Sequence, residues 1–270
     1  MTSTSDSTPL TLYRGLPGTG TYSWSPFVIK LEVRLRFAGI PYRVEAGSIR
    51  NAPRGKVPYI SIPAETLYED GSKPASPVVM GDSTMITKTF IEKGLTKDLN
   101  ANLSGSQKLQ DMGLKALLED KLYWYNSYEK WVLNYYTMRD VVLAAFPWPV
   151  RVVIGLLAYS KVTRTLTGQG TMLFSTEEIG SLRGEIWERI NGTLVEARSR
   201  HGERGGQGPF WVSGGEEPTE ADATLFGFIV SGLVCYAAPN TQKVVRGYPA
   251  VVDYARRIHD KYFPDYALWA

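Results

Sequence analysis

The chain of 270 residues has one cysteine, Cys235, and two histidines, His201 and His259. A lone cysteine excludes an internal disulfide framework, and so few soft ligands give no basis for a metal site; none is expected. Charge of one sign is also missing: 30 Lys and Arg stand against 27 Asp and Glu, a net charge of +3. The two signs are mixed along the chain, without the basic stripe of a nucleic-acid-binding protein, so no nucleic acid is expected as a partner. Long apolar runs are scarce. The most membrane-like segment, VVLAAFPWPVRVVIGLLAY at 141–159, is interrupted by Pro147, Pro149 and Arg151, whereas a spanning helix needs about 20 mostly apolar residues. It reads as a buried helix pair broken at the prolines, with peripheral membrane contact as the alternative. The first nine residues, MTSTSDSTP, have neither an apolar core nor an Arg-rich amphipathic pattern. They read as a disordered tail, not a targeting signal, and the cytoplasm is the expected location.

What is present is an ordinary globular composition, 43% hydrophobic and rich in Tyr (16) and Trp (7), in a length that suits one large domain or two packed ones. LTLYR at 10–14 reads as a strand running into a glycine-spaced loop, GLPGTGTYSW. A helix starts at Ser25 and Pro26, with Val28, Leu31, Leu35 and Ala38 on one face, Lys30, Glu32, Arg34 and Arg36 as its polar side, and Gly39 as its stop. PYRVEA and VPYISI read as strands around an irregular connection, followed by a Pro/Gly/Ser-rich loop and the apolar PVVM. A further helix starts at Asp82 or Ser83 and ends at Gly94. From about residue 104 the pattern is helical, with Trp124, Tyr128, Trp131 and Tyr135 as an aromatic stripe. Ser175 with Glu178, and Thr219 with Asp222, have the spacing of capping boxes. The reading is α/β plus all-α: a tail at 1–9, an α/β domain at 10–96 and a helical domain at 104–270.

Three motifs in this order resemble the glutathione transferase superfamily: Lys56-Val57-Pro58-Tyr59 after β-α-β, Gly81-Asp82-Ser83 at a helix start, and Thr219 to Asp222 ahead of an apolar helix. Within it, Ser25-Pro26-Phe27, LRFAGIPY at 35–42, Leu166 to Gly170 and Tyr262 to Asp265 are similar to the failed-axon-connections and metaxin-like branch. The branch often has Cys where this chain has Val28, and a charged run where this chain has Met172, Leu173 and Phe174. The apolar replacement suggests a greasier pocket or an interface. The resemblance implies a thioredoxin-like N-terminal domain that binds glutathione and a helical glutathione-transferase-type C-terminal domain, with a homodimer as the superfamily's habit. It also implies that Pro58 is cis, that the Val57 backbone pairs with the peptide bonds of glutathione, and that Asp82 and Ser83 receive the γ-glutamyl carboxylate at a helix N-terminus. Lys56 is a candidate for the glycyl carboxylate.

Ser25 is the first candidate for the thiol, since a hydroxyl at a helix N-terminus favours thiolate. Its plain alternative is an N-cap followed by Pro at N1. Tyr13, Tyr22 and Ser23 are rivals, because the loop before Ser25 is long. Trp24, Tyr128 and Trp131 are candidates for the walls of an apolar substrate pocket. The leading expectation is an enzyme that activates the glutathione thiol for attack on an apolar electrophile. The alternatives are an isomerase, lyase or cyclase of specialised metabolism using the same cleft, and a non-catalytic, membrane-associated adaptor.

Overall fold

The computed structural model describes residues 10–68 and 76–269. The expected tail at 1–9, and part of the loop before PVVM, lie outside the described residues. The N-terminal part runs β1 (Leu10–Tyr13), α1 (Pro26–Phe37), β2 (Tyr42–Glu45), β3 (Tyr59–Ile62), a short α2 (Ala64–Leu67), β4 (Val78–Gly81) and α3 (Ser83–Glu92). The sheet order is β2-β1-β3-β4, with β1 parallel to β2 and antiparallel to β3, and β3 antiparallel to β4. This is the thioredoxin-like topology. Leu12 pairs with Val44 on one side and Ile60 on the other. Leu12, Ile60, Leu31, Leu35, Ile86 and Phe90 form the core between the sheet, α1 and α3.

The helical part begins with α4 (Gly105–Ala116), which continues through a π-helical segment (Leu117–Leu122), α5 (Tyr123–Tyr128) and a second π-helical segment (Glu129–Leu133) into α6 (Tyr135–Val142). There follow α7 (Trp148–Gly168), α8 (Thr176–Glu203), α9 (Glu220–Val234), α10 (Pro239–Arg246) and α11 (Pro249–Tyr262). The apolar α9 is buried along nearly its whole length and packs against α1, whose Ile29 and Val33 join the helical core. Gly227 permits this approach: a Cβ there would lie 2.5 Å from the Pro26 carbonyl oxygen.

Because α1 is covered by the sheet on one side and by α9 on the other, its charged residues are not a solvated face. Lys30, Glu32 and Arg34 are buried, and each has a partner on another element. Lys30 meets Glu119 at 2.6 Å, Arg34 meets Glu220 at 2.7 Å, and Glu32 accepts from the Tyr266 hydroxyl at 2.6 Å with Arg14 3.7 Å away. Burial pushes the Glu32 carboxyl up, opposed by Arg14 and Tyr266.

The capping motifs close as their spacing predicts. Ser175 and Glu178 exchange bonds, and Asp222 accepts from the Thr219 amide at 2.8 Å and the Thr219 hydroxyl at 2.9 Å. Asp222 does more than close a box. It is fully buried and also accepts from the Val212 amide at 2.7 Å and the Tyr254 hydroxyl at 2.8 Å. Burial, against these bonds, raises its carboxyl to about 6.

The segment at 141–159 departs from expectation. Its break falls at the prolines, but α7 is not buried. Trp148, Val150, Val153, Leu156 and Leu157 are exposed, and only Gly155 and Leu166 are fully covered. Helical periodicity does not say whether a second layer exists to cover an apolar face, and none does here among the described residues. Met172, Leu173 and Phe174 are exposed as well. Among the described residues no single helix is long and apolar enough to cross a membrane.

Candidate active site between the two domains

A cleft of about 590 Å³ separates the domains. On the thioredoxin-like side it is lined by Ser23, Trp24, Ser25 and Phe27 at the start of α1, by Lys56, Val57 and Pro58, and by Asp82, Ser83 and Thr84 at the start of α3. Tyr123, Trp124, Asn126, Ser127, Lys130 and Trp131 form the opposing wall.

The three N-terminal segments come together because each follows or precedes a strand at the same end of the sheet, where Tyr13, Tyr59 and Gly81 pair. Ser25 has extended backbone and caps α1, and its Oγ accepts from the Val28 amide at 3.4 Å, a long bond. The Ser25 hydroxyl has no acceptor among the described residues, so its proton remains available. Ser23 Oγ accepts from the Ser25 amide at 3.2 Å, which holds the turn ahead of the helix. The Val57–Pro58 peptide bond is cis, and Val57 precedes the first ladder residue, Tyr59, so the sheet does not use its peptide groups. Asp82 caps α3, its Oδ1 accepting from the Thr84 and Met85 amides at 3.1 and 3.2 Å. Its φ of 81° is the one positive value for a non-glycine among the described residues, a local strain of the kind that clusters at ligand sites. Ser83 occupies the first position of α3, where an amide has no acceptor within its own helix and the helix dipole favours an anion. Lys56 is mostly exposed, with Nζ 3.9 Å from Asp82 Oδ2.

Three candidates lie outside the cleft. Tyr13 stacks on Tyr59 at 4.3 Å, under Gly47, on the far side of the strand end. Tyr22 is buried, its hydroxyl 2.7 Å from His259 Nδ1, and burial holds its phenol far above the ordinary range. The long loop folds back because the buried Arg14 donates to the carbonyls of Gly18 and Thr21 at 2.8 and 2.5 Å, which sends Tyr22 into the core and leaves Ser23 to Ser25 at the cleft. Tyr128 packs with Leu166 and Ile179, its hydroxyl 2.8 Å from Thr176 Oγ1. A strict helical period would align Trp124, Tyr128 and Trp131. Tyr128 nonetheless stands at the edge of that stripe that turns to α7 and α8, whereas Trp124, Ser127 and Trp131, at steps of three and four, line the cleft. Met172, Leu173 and Phe174 are also outside it.

Sequence reasoning passed over Arg14, Phe27, Tyr123, Asn126 and Lys130. Phe27 and Tyr123 meet edge to face with ring centroids 5.0 Å apart and give the cleft an apolar floor. Lys130 is nine-tenths buried, and its Nζ donates to the Trp24 carbonyl at 3.2 Å. It follows Tyr123 by seven residues and Ser127 by three on the face that lines the cleft. Cys235 is buried beneath Trp24, and burial pushes its thiol up, so it is not a reactive thiolate. Among the described residues no three His, Cys, Asp or Glu side chains cluster as a metal site.

A thioredoxin-like domain whose helix N-termini and cis-proline loop open onto a cleft walled by an all-helical domain is the architecture of the glutathione transferases. The family model for the glutathione S-transferase N-terminal domain matches residues 26–138. The isoprene-epoxide–glutathione S-transferase of Rhodococcus sp. (strain AD45) is 30% identical over 119 residues, which cover 43% of this chain and 44% of that protein. Failed axon connections of Drosophila melanogaster is 24% identical over 266 residues, covering 90% of this chain and 56% of that protein. The chain spans about half the length of the curated relatives it matches. A solved glutathione S-transferase of Ceriporiopsis subvermispora, in complex with glutathione, aligns with a TM-score of 0.53 at 13% identity, covering 97% of this chain and 99% of that one; this shows the shared fold. Residues 26–138 thus match a glutathione S-transferase N-terminal domain, the chain has the glutathione transferase fold, and along most of its length it is similar to failed axon connections.

Proposed function

We propose that the chain binds glutathione against the N-termini of α1 and α3 and activates its thiol for attack on a small apolar electrophile. The observation that carries this reading is the convergence of Ser25, the Val57–Pro58 turn and Ser83 on one cleft whose opposite wall is aromatic. The γ-glutamyl carboxylate sits at the start of α3, where helix amides and dipole meet an anion. The peptide of glutathione lies along Val57, and the sulfur faces the Ser25 hydroxyl, which donates to it and favours the thiolate with the help of the α1 dipole. The electrophile rests on Trp24, Phe27, Tyr123 and Trp131. The relative from Rhodococcus bears the name of an epoxide-conjugating enzyme, which makes small apolar epoxides the first class to assay. A melting curve taken with and without glutathione, followed by a conjugation assay across epoxides, enones and haloarenes, tests the reading. A ligand present at 100 times its dissociation constant stabilises the native state by about 2.7 kcal/mol. No shift at millimolar glutathione would reject it.

The motive for an isomerase or cyclase, the apolar run at 172–174, is on the surface and not in the cleft. A second reading, contact with an anionic lipid surface, draws support from α7. Residues 141–175 contain no Asp or Glu and three basic residues, Arg151, Lys161 and Arg164, and their exposed side chains include Trp148, Val153, Leu156 and Leu157. Co-sedimentation with phosphatidylserine vesicles, lost in a Leu156→Glu, Leu157→Glu double variant, would support it; no binding in the parent would end it.

A further inference from the structure

Of the cations on the cleft wall, Lys130 is the one whose charge the protein leaves unanswered. Arg14 is spent on two loop carbonyls and lies beside Glu32. Lys56 is mostly in solvent, near Asp82. Lys130 is nine-tenths buried, yet no carboxylate lies within 4.0 Å of it among the described residues, and its recorded hydrogen bond is the one to the Trp24 carbonyl at 3.2 Å. The neighbouring Glu129 does not neutralise it. That carboxylate is committed to the Arg183 guanidinium, to the Asn240 amide at 2.6 Å, and to the Thr241 amide at 3.2 Å and hydroxyl at 2.6 Å, on the α10 side of the helix. An ammonium has three donors, and removing it from water without a counter-charge is unfavourable. One donor is used here; two remain for a molecule that enters the cleft.

The position of that ammonium matters. The carbonyl it holds belongs to the peptide that joins Trp24 to Ser25, so Lys130 stands next to the residue assigned to the sulfur, but projects from the opposite domain. It lies in a π-helical segment, the kind of local departure from α-helix that recurs at functional sites. We propose that Lys130 is a catalytic acid for the acceptor substrate, and that the cleft is built for electrophiles whose oxygen becomes anionic as the sulfur attacks. The class that fits is a small apolar epoxide. The thiolate sulfur forms a bond to one ring carbon, the C–O bond breaks with its electron pair moving to oxygen, and the Lys130 ammonium gives that oxygen a proton. The product is a hydroxy thioether, and the neutral amine regains its proton from water. This inference rests on the reading of the cleft as a glutathione site.

The test is Lys130→Met, which keeps the apolar stem, alongside Lys130→Arg, which keeps the charge and donors but is a poor proton donor. Both are compared with the parent on an aliphatic epoxide and on a chlorodinitrobenzene, whose departing chloride needs no proton. The expected result is a fall of about 100-fold or more in kcat with the epoxide for Lys130→Met. Lys130→Arg should recover part of the loss, both variants should stay within about threefold on the haloarene, and the pKa of bound glutathione should be unchanged. A folding defect would lower both substrates together, and melting curves identify it; Lys130→Arg then carries the comparison. Equal losses on both substrates with a raised thiol pKa would move Lys130 to the sulfur and overturn the proposal. So would full epoxide activity in Lys130→Met. A parent that does not bind glutathione would remove the underlying reading itself, whereas a parent that conjugates both substrates indifferently to residue 130 would remove only this inference.

Discussion

Replacing Ser25 by Ala separates a helix cap from a thiolate donor, because the two roles predict effects of different size on different observables. As a cap, Ser25 accepts from Val28 at 3.4 Å, longer than the usual range for such a bond, so its loss is worth at most the typical 1 kcal/mol or so of an N-cap. In a chain of this length that lowers Tm by roughly 2–4 °C. Pro26 still occupies the first helical turn and keeps the entry into α1. As a donor to sulfur, the hydroxyl makes a bond to a charged group worth about 1.5–3 kcal/mol. Each 1.36 kcal/mol is one pKa unit, so the pKa of bound glutathione should rise by roughly 1–2 units in Ser25→Ala. Affinity for glutathione should be nearly unchanged, since its carboxylate and peptide are held at Ser83 and Val57. Titrating the thiolate absorbance of the bound tripeptide in parent and variant measures the shift directly. An unchanged thiol pKa with the small Tm loss would reduce Ser25 to a cap and refute the assignment.

Asp222→Ala should lower unfolding stability by about 3–5 kcal/mol in urea titration, more than a simple cap, because it orphans the buried donors of Val212, Thr219 and Tyr254. The same residue gives a pH signature: its carboxyl rises from 3.8 unfolded to about 6 folded. The folded state therefore binds more protons in that window, and parent stability falls as pH rises through it. Its advantage over Asp222→Ala should shrink by up to about 3 kcal/mol between pH 4 and pH 6.5; a gap that is constant with pH would refute this. Gly227→Ala should destabilise by about 1–3 kcal/mol, although Ala favours helix, since the new Cβ meets the Pro26 carbonyl at 2.5 Å; a raised Tm would show that α1 and α9 can part freely. Glu129→Ala should cost about 3–5 kcal/mol by leaving Arg183 buried without its partner and the start of α10 uncapped, and a Tm within a degree of the parent would contradict it.

What the amino-acid sequence determined by itself was whatever depends on neighbours a few positions away. The four strands, the start of α1 at Ser25 and Pro26, the boxes at Ser175 with Glu178 and Thr219 with Asp222, and the helix start at Asp82 all rest on contacts between residues at most four apart, or on an alternation that one strand shows alone. The order of those pieces carried the family resemblance, and with it the cis-proline turn and the pairing of two helix starts across one cleft. Tertiary structure decided everything that needed a second surface. Lys30, Glu32 and Arg34 have the spacing of a solvated face, but α1 is sandwiched, and their partners lie 89, 234 and 186 positions away. Tyr22 left the candidate site for His259, 237 positions on. Tyr128 and Lys130 stand on opposite sides of one helix face, and what packs against that face decides their fates: Tyr128 turns to α7 and α8, and Lys130 to the cleft. The apolar α7, read as buried, leaves one face exposed because burial is a property of what packs against a helix, and no pattern within the helix encodes whether a neighbour is there.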